Sequence, residues 1–147
     1  MKVGEVVAME QEIIDIEAAD LLSKTADMKN AGYRLAQACA TANSDAMTLH
    51  YSFAKDAELV TLRFSIADSI TVESIGWLYP YAFLYENEMK DLFGLSFSNM
   101  NLDFKGNFYQ TAIKTPFNPK ECCASGTESD AVITETDSAN KESDVEA

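Results

Sequence analysis

Two stretches near the middle of the chain leave little freedom of fold. In residues 47–53, Met47, Leu49, Tyr51 and Phe53 alternate with Thr48, His50 and Ser52. In residues 59–66, Val60, Leu62, Phe64 and Ile66 alternate with Thr61, Arg63 and Ser65. A period of two places each apolar set on one face of a pleated strand. Lys55-Asp56-Ala57 joins the two runs as a hairpin connection. The apolar face of such a pair needs helices over it, while the polar face can stay wet.

The flanking segments supply those helices and more strand. Residues 12–16 (EIIDI) read as a first strand or an extended entry to a helix, after a start at 1–11 that reads as frayed or as a short helix. Residues 18–30 are helical, with Leu21, Leu22, Thr25 and Met28 on a narrow apolar face, and Asn30-Ala31-Gly32 closes them. Residues 33–41 read as a strand, although their alanines leave a helix open. Asn43-Ser44-Asp45 is a turn. Residues 67–69 are a loop, and Ile70-Thr71-Val72 is a brief strand. The fold class is α+β: a small mixed or antiparallel β-sheet packed by two or more helices.

A second apolar helix spans about residues 81–93. Pro80 suits its first turn and Gly94 a left-handed C-cap. Tyr81, Leu84, Tyr85, Met89 and Leu92 share one stripe, and Asn87 and Lys90 lie opposite. Glu86 is placed to pair with Lys90 one turn on. Glu88 falls inside the apolar stripe, where a carboxylate is costly unless a cation or several donors meet it. It either reaches past its neighbours into water, or pairs with Arg34, Arg63 or an arginine of another subunit, or acts as a catalytic carboxylate. Asp91, on the stripe's margin, can share or compete for the same partner. Acid–base catalysis needs a pocket and tuned carboxylates, and no nucleophile, histidine or metal cluster accompanies these. Trp77, just before this helix, is an anchor for a core or an interface.

The run Tyr85-Glu86-Asn87-Glu88-Met89-Lys90-Asp91-Leu92-Phe93-Gly94 resembles the signature of the 30 kDa subunit family of respiratory complex I, roughly E-R-E-x-x-D-x-F-G. Glu86, Glu88, Asp91, Phe93 and Gly94 match it, whereas Asn87 stands where the complex I branch usually has arginine. With Leu102-Asp103-Phe104 and Lys114-Thr115-Pro116-Phe117, the pattern is more similar to the hydrogenase branch of the family, the matching small subunit of the Ech-type energy-converting nickel–iron ([NiFe]) hydrogenases. The resemblance is strongest over residues 74–117. It implies a non-catalytic subunit of a membrane-associated hydrogenase, which passes electrons from reduced ferredoxin to protons and couples this to ion translocation. It further implies docking on the hydrogenase large subunit, beside the iron–sulfur small subunit. Those partners would hold the [NiFe] centre and the iron–sulfur clusters, and this chain no cofactor. The expected place is peripheral, on the cytoplasmic side of the membrane, held through integral subunits. Trp77, Glu86, Glu88, Asp91, Phe93, Gly94, Phe104 and Phe117 would form the partner interface. A complex I-type subunit, or a free-standing acidic binding module, are the alternatives.

Residues 95–117 carry many rings and no long helical period, so they read as an extended arm following the domain at 1–94, with a short hairpin around Lys105-Gly106-Asn107; the arm either packs on its own domain as a further hairpin or, as the resemblance implies, docks along a partner. Residues 118–147 read as a disordered acidic tail, with eight acidic and two basic residues from Lys120 onward. The formal charge of −13 argues against nucleic acid, which needs clustered Lys and Arg, and against an anionic lipid surface. The three cysteines, Cys39, Cys122 and Cys123, lack metal-site spacing, and their odd number fits a reducing compartment. The lone His50 reads as a solvated or locally bonded strand residue.

Overall fold

The computed structural model describes residues 10–67 and 70–122. A four-stranded sheet has the order β1-β4-β3-β2, from β1 (Glu10–Asp15), β2 (Arg34–Ala42), β3 (Met47–Lys55) and β4 (Glu58–Ile66). β2, β3 and β4 are antiparallel neighbours, and β1 lies parallel to β4 with Ile14 opposite Leu62. The hairpin is as the alternation demands: Met47 faces Ile66, Tyr51 faces Leu62, and Asp56 turns the chain at φ 50°. β1 begins two residues before the strand expected at 12–16, inside the start read as frayed or helical, because Glu10 and Gln11 already pair with β4; the remainder of that start lies outside the described residues. The alanine-rich segment is strand β2, because its Ala38 and Ala40 face the core beside β3.

Between β1 and β2, a 3-10 turn at Ala18–Asp20 leads into α1 (Leu21–Asn30), which buries Leu21 and Thr25 completely. The core holds Leu49, Tyr51, Phe53 and Leu62, all fully enclosed, together with Met47, Phe64 and Ile66. Each such side chain contributes about 1.5–3 kcal/mol of transfer free energy. The opposite face stays polar, with Thr48 bonded to Ser65 and Ser52 to Thr61 across the strands.

A second unit follows. β5 (Thr71–Glu73) and β6 (Ser96–Ser98) form a parallel pair, and α2 (Ala82–Phe93) is the crossover between them. α2 covers the sheet near β2 through Met89 and Ala82. The sheet, the second small sheet and the two long helices make a mixed α+β domain.

The arm differs from the expectation in one respect. Beyond β6 it forms no further strand among the described residues, yet it does not project. It folds back along α2 of its own chain, where the Phe117 N–H donates to the Leu92 carbonyl at 2.9 Å. At Lys105-Gly106 two positive φ values and an Asn107 N–H to Phe104 carbonyl bond make a tight turn, without the paired strands of a hairpin. Of the expected acidic tail, Pro119–Cys122 is a single helical turn, α3, and the rest lies outside the described residues.

Candidate functional site

α2 ends where the sequence predicts. Gly94 takes φ 74°, and its N–H closes on the Lys90 carbonyl at 3.0 Å. A Cβ there would stand 3.0 Å from the Thr115 methyl, so glycine also admits the returning arm. The face that α2 buries is only partly the apolar stripe. Met89 is enclosed and Tyr85 and Leu92 half-buried, but Tyr81 and Leu84 are exposed. Glu86, Asn87 and Asp91 are buried in their stead, and each meets polar groups far away in sequence.

Glu86 is fully enclosed. Its carboxylate accepts the Ser74 hydroxyl at 2.6 Å and the Ile75 N–H at 2.9 Å, and Ser74 Oγ in turn accepts the Gly76 N–H. Burial pushes its pKa up, against the opposing pull of the Ser74 and Ile75 donors. The expected Glu86–Lys90 pair is absent because the carboxylate points inward to the 74–76 turn. Lys90 instead bonds both oxygens of Asp103 at 2.7 and 2.8 Å, which holds the Asp103 carboxyl below its usual range. Any contact of Glu86 with another subunit is therefore indirect, through the turn it braces.

Asn87 does the most for the arm. Its amide N–H donates to the Leu102 carbonyl at 2.9 Å and to Phe83 at 2.7 Å, and its oxygen accepts the Phe104 N–H at 2.9 Å. Asp91 accepts the Tyr109 N–H at 2.8 Å, and its other oxygen has no partner among the described residues. Asp91 therefore faces the arm and does not share a partner with Glu88. Asn87 was not among the expected site residues; its only signal in the sequence was its departure from the family pattern.

Glu88 looks the other way, toward β2. It lines a groove of about 470 Å³ between α2 and β2 with Tyr85, Met89, Leu92, Phe93 and Phe117. No ion pair joins it to Arg34, and Arg63 is held by Asp15 at 2.6 and 2.9 Å. Burial, reinforced by the Glu88 charge, raises the pKa of the Cys39 thiol on the same groove.

The aromatic residues of the site divide. Phe93 is half-buried and meets Phe117 edge-on at 5.5 Å, and Phe104 contacts Phe83 and Phe108. Trp77 is 74% exposed, and its indole N–H donates to the Asn99 carbonyl at 3.0 Å. Of the ten large apolar side chains exposed among the described residues, eight lie between Trp77 and Phe117, so the exposed apolar surface is segregated to this unit. Among the described residues no three His, Cys, Asp or Glu side chains form a metal-sized cluster. His50, facing Cys39 and Arg63 across the strands, has an unbonded Nδ1, and its pKa is lowered by burial and then by Arg63.

A family model described as "Respiratory-chain NADH dehydrogenase, 30 Kd subunit" matches residues 14–108, from β1 through α2 into the arm. No curated protein matches the sequence. Among solved structures, a chain of the membrane-bound sulfane sulfur reductase (MBS), an archaeal respiratory membrane complex, has a similar fold. It superposes with a TM-score of 0.66 at 17% identity, covering 79% of this chain and 72% of that one.

Proposed function

The chain belongs to the 30 kDa subunit family of respiratory-chain NADH dehydrogenase, and on that premise we propose that it is a non-catalytic subunit of a membrane-bound oxidoreductase complex. Within that class we assign it to an energy-converting [NiFe] hydrogenase, as the piece that docks on and supports the large subunit. The observation that carries the docking role is the segregation of exposed Trp77, Tyr81, Leu84, Phe104 and Phe117 on one unit of the molecule. Exposed aromatic and large apolar side chains concentrated on one unit mark surface that a partner covers.

Asn87 favours the hydrogenase branch over the complex I branch. Fully buried, it serves two carbonyls and one amide within a short radius. An arginine has no acceptor for the Phe104 N–H, which the Asn87 side-chain oxygen receives here. Redox centres belong, on this reading, to the partner subunits. None of the helices described is long and apolar enough to cross a membrane; on this reading integral partner subunits hold the chain at the membrane.

The test is affinity purification of the tagged full chain from native membranes, with identification of what accompanies it. The expected companions are a large subunit carrying nickel–iron ligand cysteines and an iron–sulfur subunit. A quinone-site subunit in their place moves the chain to the complex I branch, and recovery of the chain alone overturns the proposal.

A further inference from the structure

The two edges of the main sheet are finished differently. β1 carries Glu10, Glu12 and Asp15, charges of the kind that keep an edge strand from pairing with strangers. β2 forms the other edge, and from Leu35 to Ala42 it reads LAQACATA, with no charge and no proline. Its one irregularity lies between Leu35 and Gln37, beside the Ala36 carbonyl that receives the Tyr85 hydroxyl at 3.3 Å. From Gln37 to Ala42 the pairing with β3 runs without interruption, and no strand lies on the outer side among the described residues.

Along that edge α2 forms a wall, and the groove between them is lined by apolar side chains apart from Gln37, Cys39, Glu88 and the Tyr85 hydroxyl, which is held on the Ala36 carbonyl. Glu88 makes no hydrogen bond or ion pair with any described residue, and no basic side chain lines the groove. An open strand edge offers backbone donors and acceptors, a neighbouring groove accepts alternate side chains, and a carboxylate within it asks for a cation.

We propose that the β2 edge and the α2 groove receive an extended segment of another polypeptide, which adds as a fifth strand, fills the groove with apolar side chains and sets one arginine or lysine on Glu88. The proposal rests on the reading of this chain as a subunit of a larger complex and names the chemistry of the partner at this place. A second copy is a poor occupant, because it brings a further net charge of −13, and its one β2 cation, Arg34, stands at the first residue of the strand, before the irregularity at Leu35–Gln37 and outside the uninterrupted run. The chain's own residues 120–147, with eight acids against two bases, would meet Glu88 with like charge.

The experiment uses the full chain and two synthetic nine-residue peptides of alternating valine and threonine, one with a central arginine and one with a central glutamate. Hydrogen exchange is followed over residues 37–42. The arginine peptide is expected to slow exchange there and the glutamate peptide to leave it unchanged. Glu88→Gln, checked for an unaltered circular dichroism spectrum, is expected to weaken the arginine peptide about 30-fold or more. Equal binding of both peptides, no protection of 37–42, or an unchanged affinity for Glu88→Gln overturns the proposal. So does an isolated chain that dimerises with these amides already protected. Exchange in the complex purified from membranes separates the two readings. A chain that assembles with 37–42 still open refutes the strand addition and leaves the proposed function intact. A chain that enters no complex yet binds the arginine peptide through Glu88 does the reverse.

Discussion

At the residue scale, Glu86 decides how α2 is seated. The carboxylate is buried, and its two donors, the Ser74 hydroxyl and the Ile75 N–H, are buried with it. Glu86→Ala leaves both donors unpaired and is expected to cost about 2–4 kcal/mol in urea unfolding, on a scale of roughly 1–3 for each stranded group. The pH dependence has a definite sign. Because burial raises the folded-state pKa above the ordinary 4.5, the folded chain holds this proton more tightly than the unfolded chain. The stability attached to this group is thus greatest below the unfolded pKa and falls as pH rises through the folded value. Glu86→Gln removes that step, so its stability relative to the parent should climb with pH across that window. A relative stability that falls instead would show that the two donors outweigh desolvation.

At the scale of elements, α2 and the arm are one device. Asn87→Ala removes the three hydrogen bonds to Phe83, Leu102 and Phe104. It should speed hydrogen exchange at the Phe104 amide while leaving β3 and β4 protected, for a loss of about 1–3 kcal/mol. Gly94→Ala should cost about 1–2 kcal/mol of unfolding free energy from the left-handed backbone alone, and more where the Thr115 methyl resists the new Cβ. The limits of α2 were legible in the sequence, since Pro80 and Gly94 are local signals. So was the β3–β4 hairpin, from alternation alone. The orientation of α2 was not. A helical wheel weighs only hydrophobicity, and it turned Tyr81 and Leu84 inward. The helix instead buries Glu86, Asn87 and Asp91, because the 74–76 turn and the arm deliver backbone donors and acceptors that no periodicity reports. The same blindness left the arm's own seat on α2 unread.

At the scale of the whole molecule, polarity is divided between two faces. The sheet's outer face is bonded within itself through Thr48–Ser65, Ser52–Thr61 and Asp15–Arg63. The α2 and arm unit holds most of the exposed rings. Replacing Phe104 and Phe117 together by serine should reduce self-association of the isolated chain in sedimentation velocity and also reduce recovery of the membrane complex. Reduced self-association with undiminished recovery of the complex would place the partner elsewhere. The parallel register of β1 against β4 also governs timing. Ile14 must wait for Leu62 to be synthesised, and closing so long a loop is slow compared with zipping the adjacent β3–β4 hairpin. In refolding, β1 is therefore expected to dock after the hairpin has formed, so the hairpin's β4 flank, which the acidic strand later closes, stands open first.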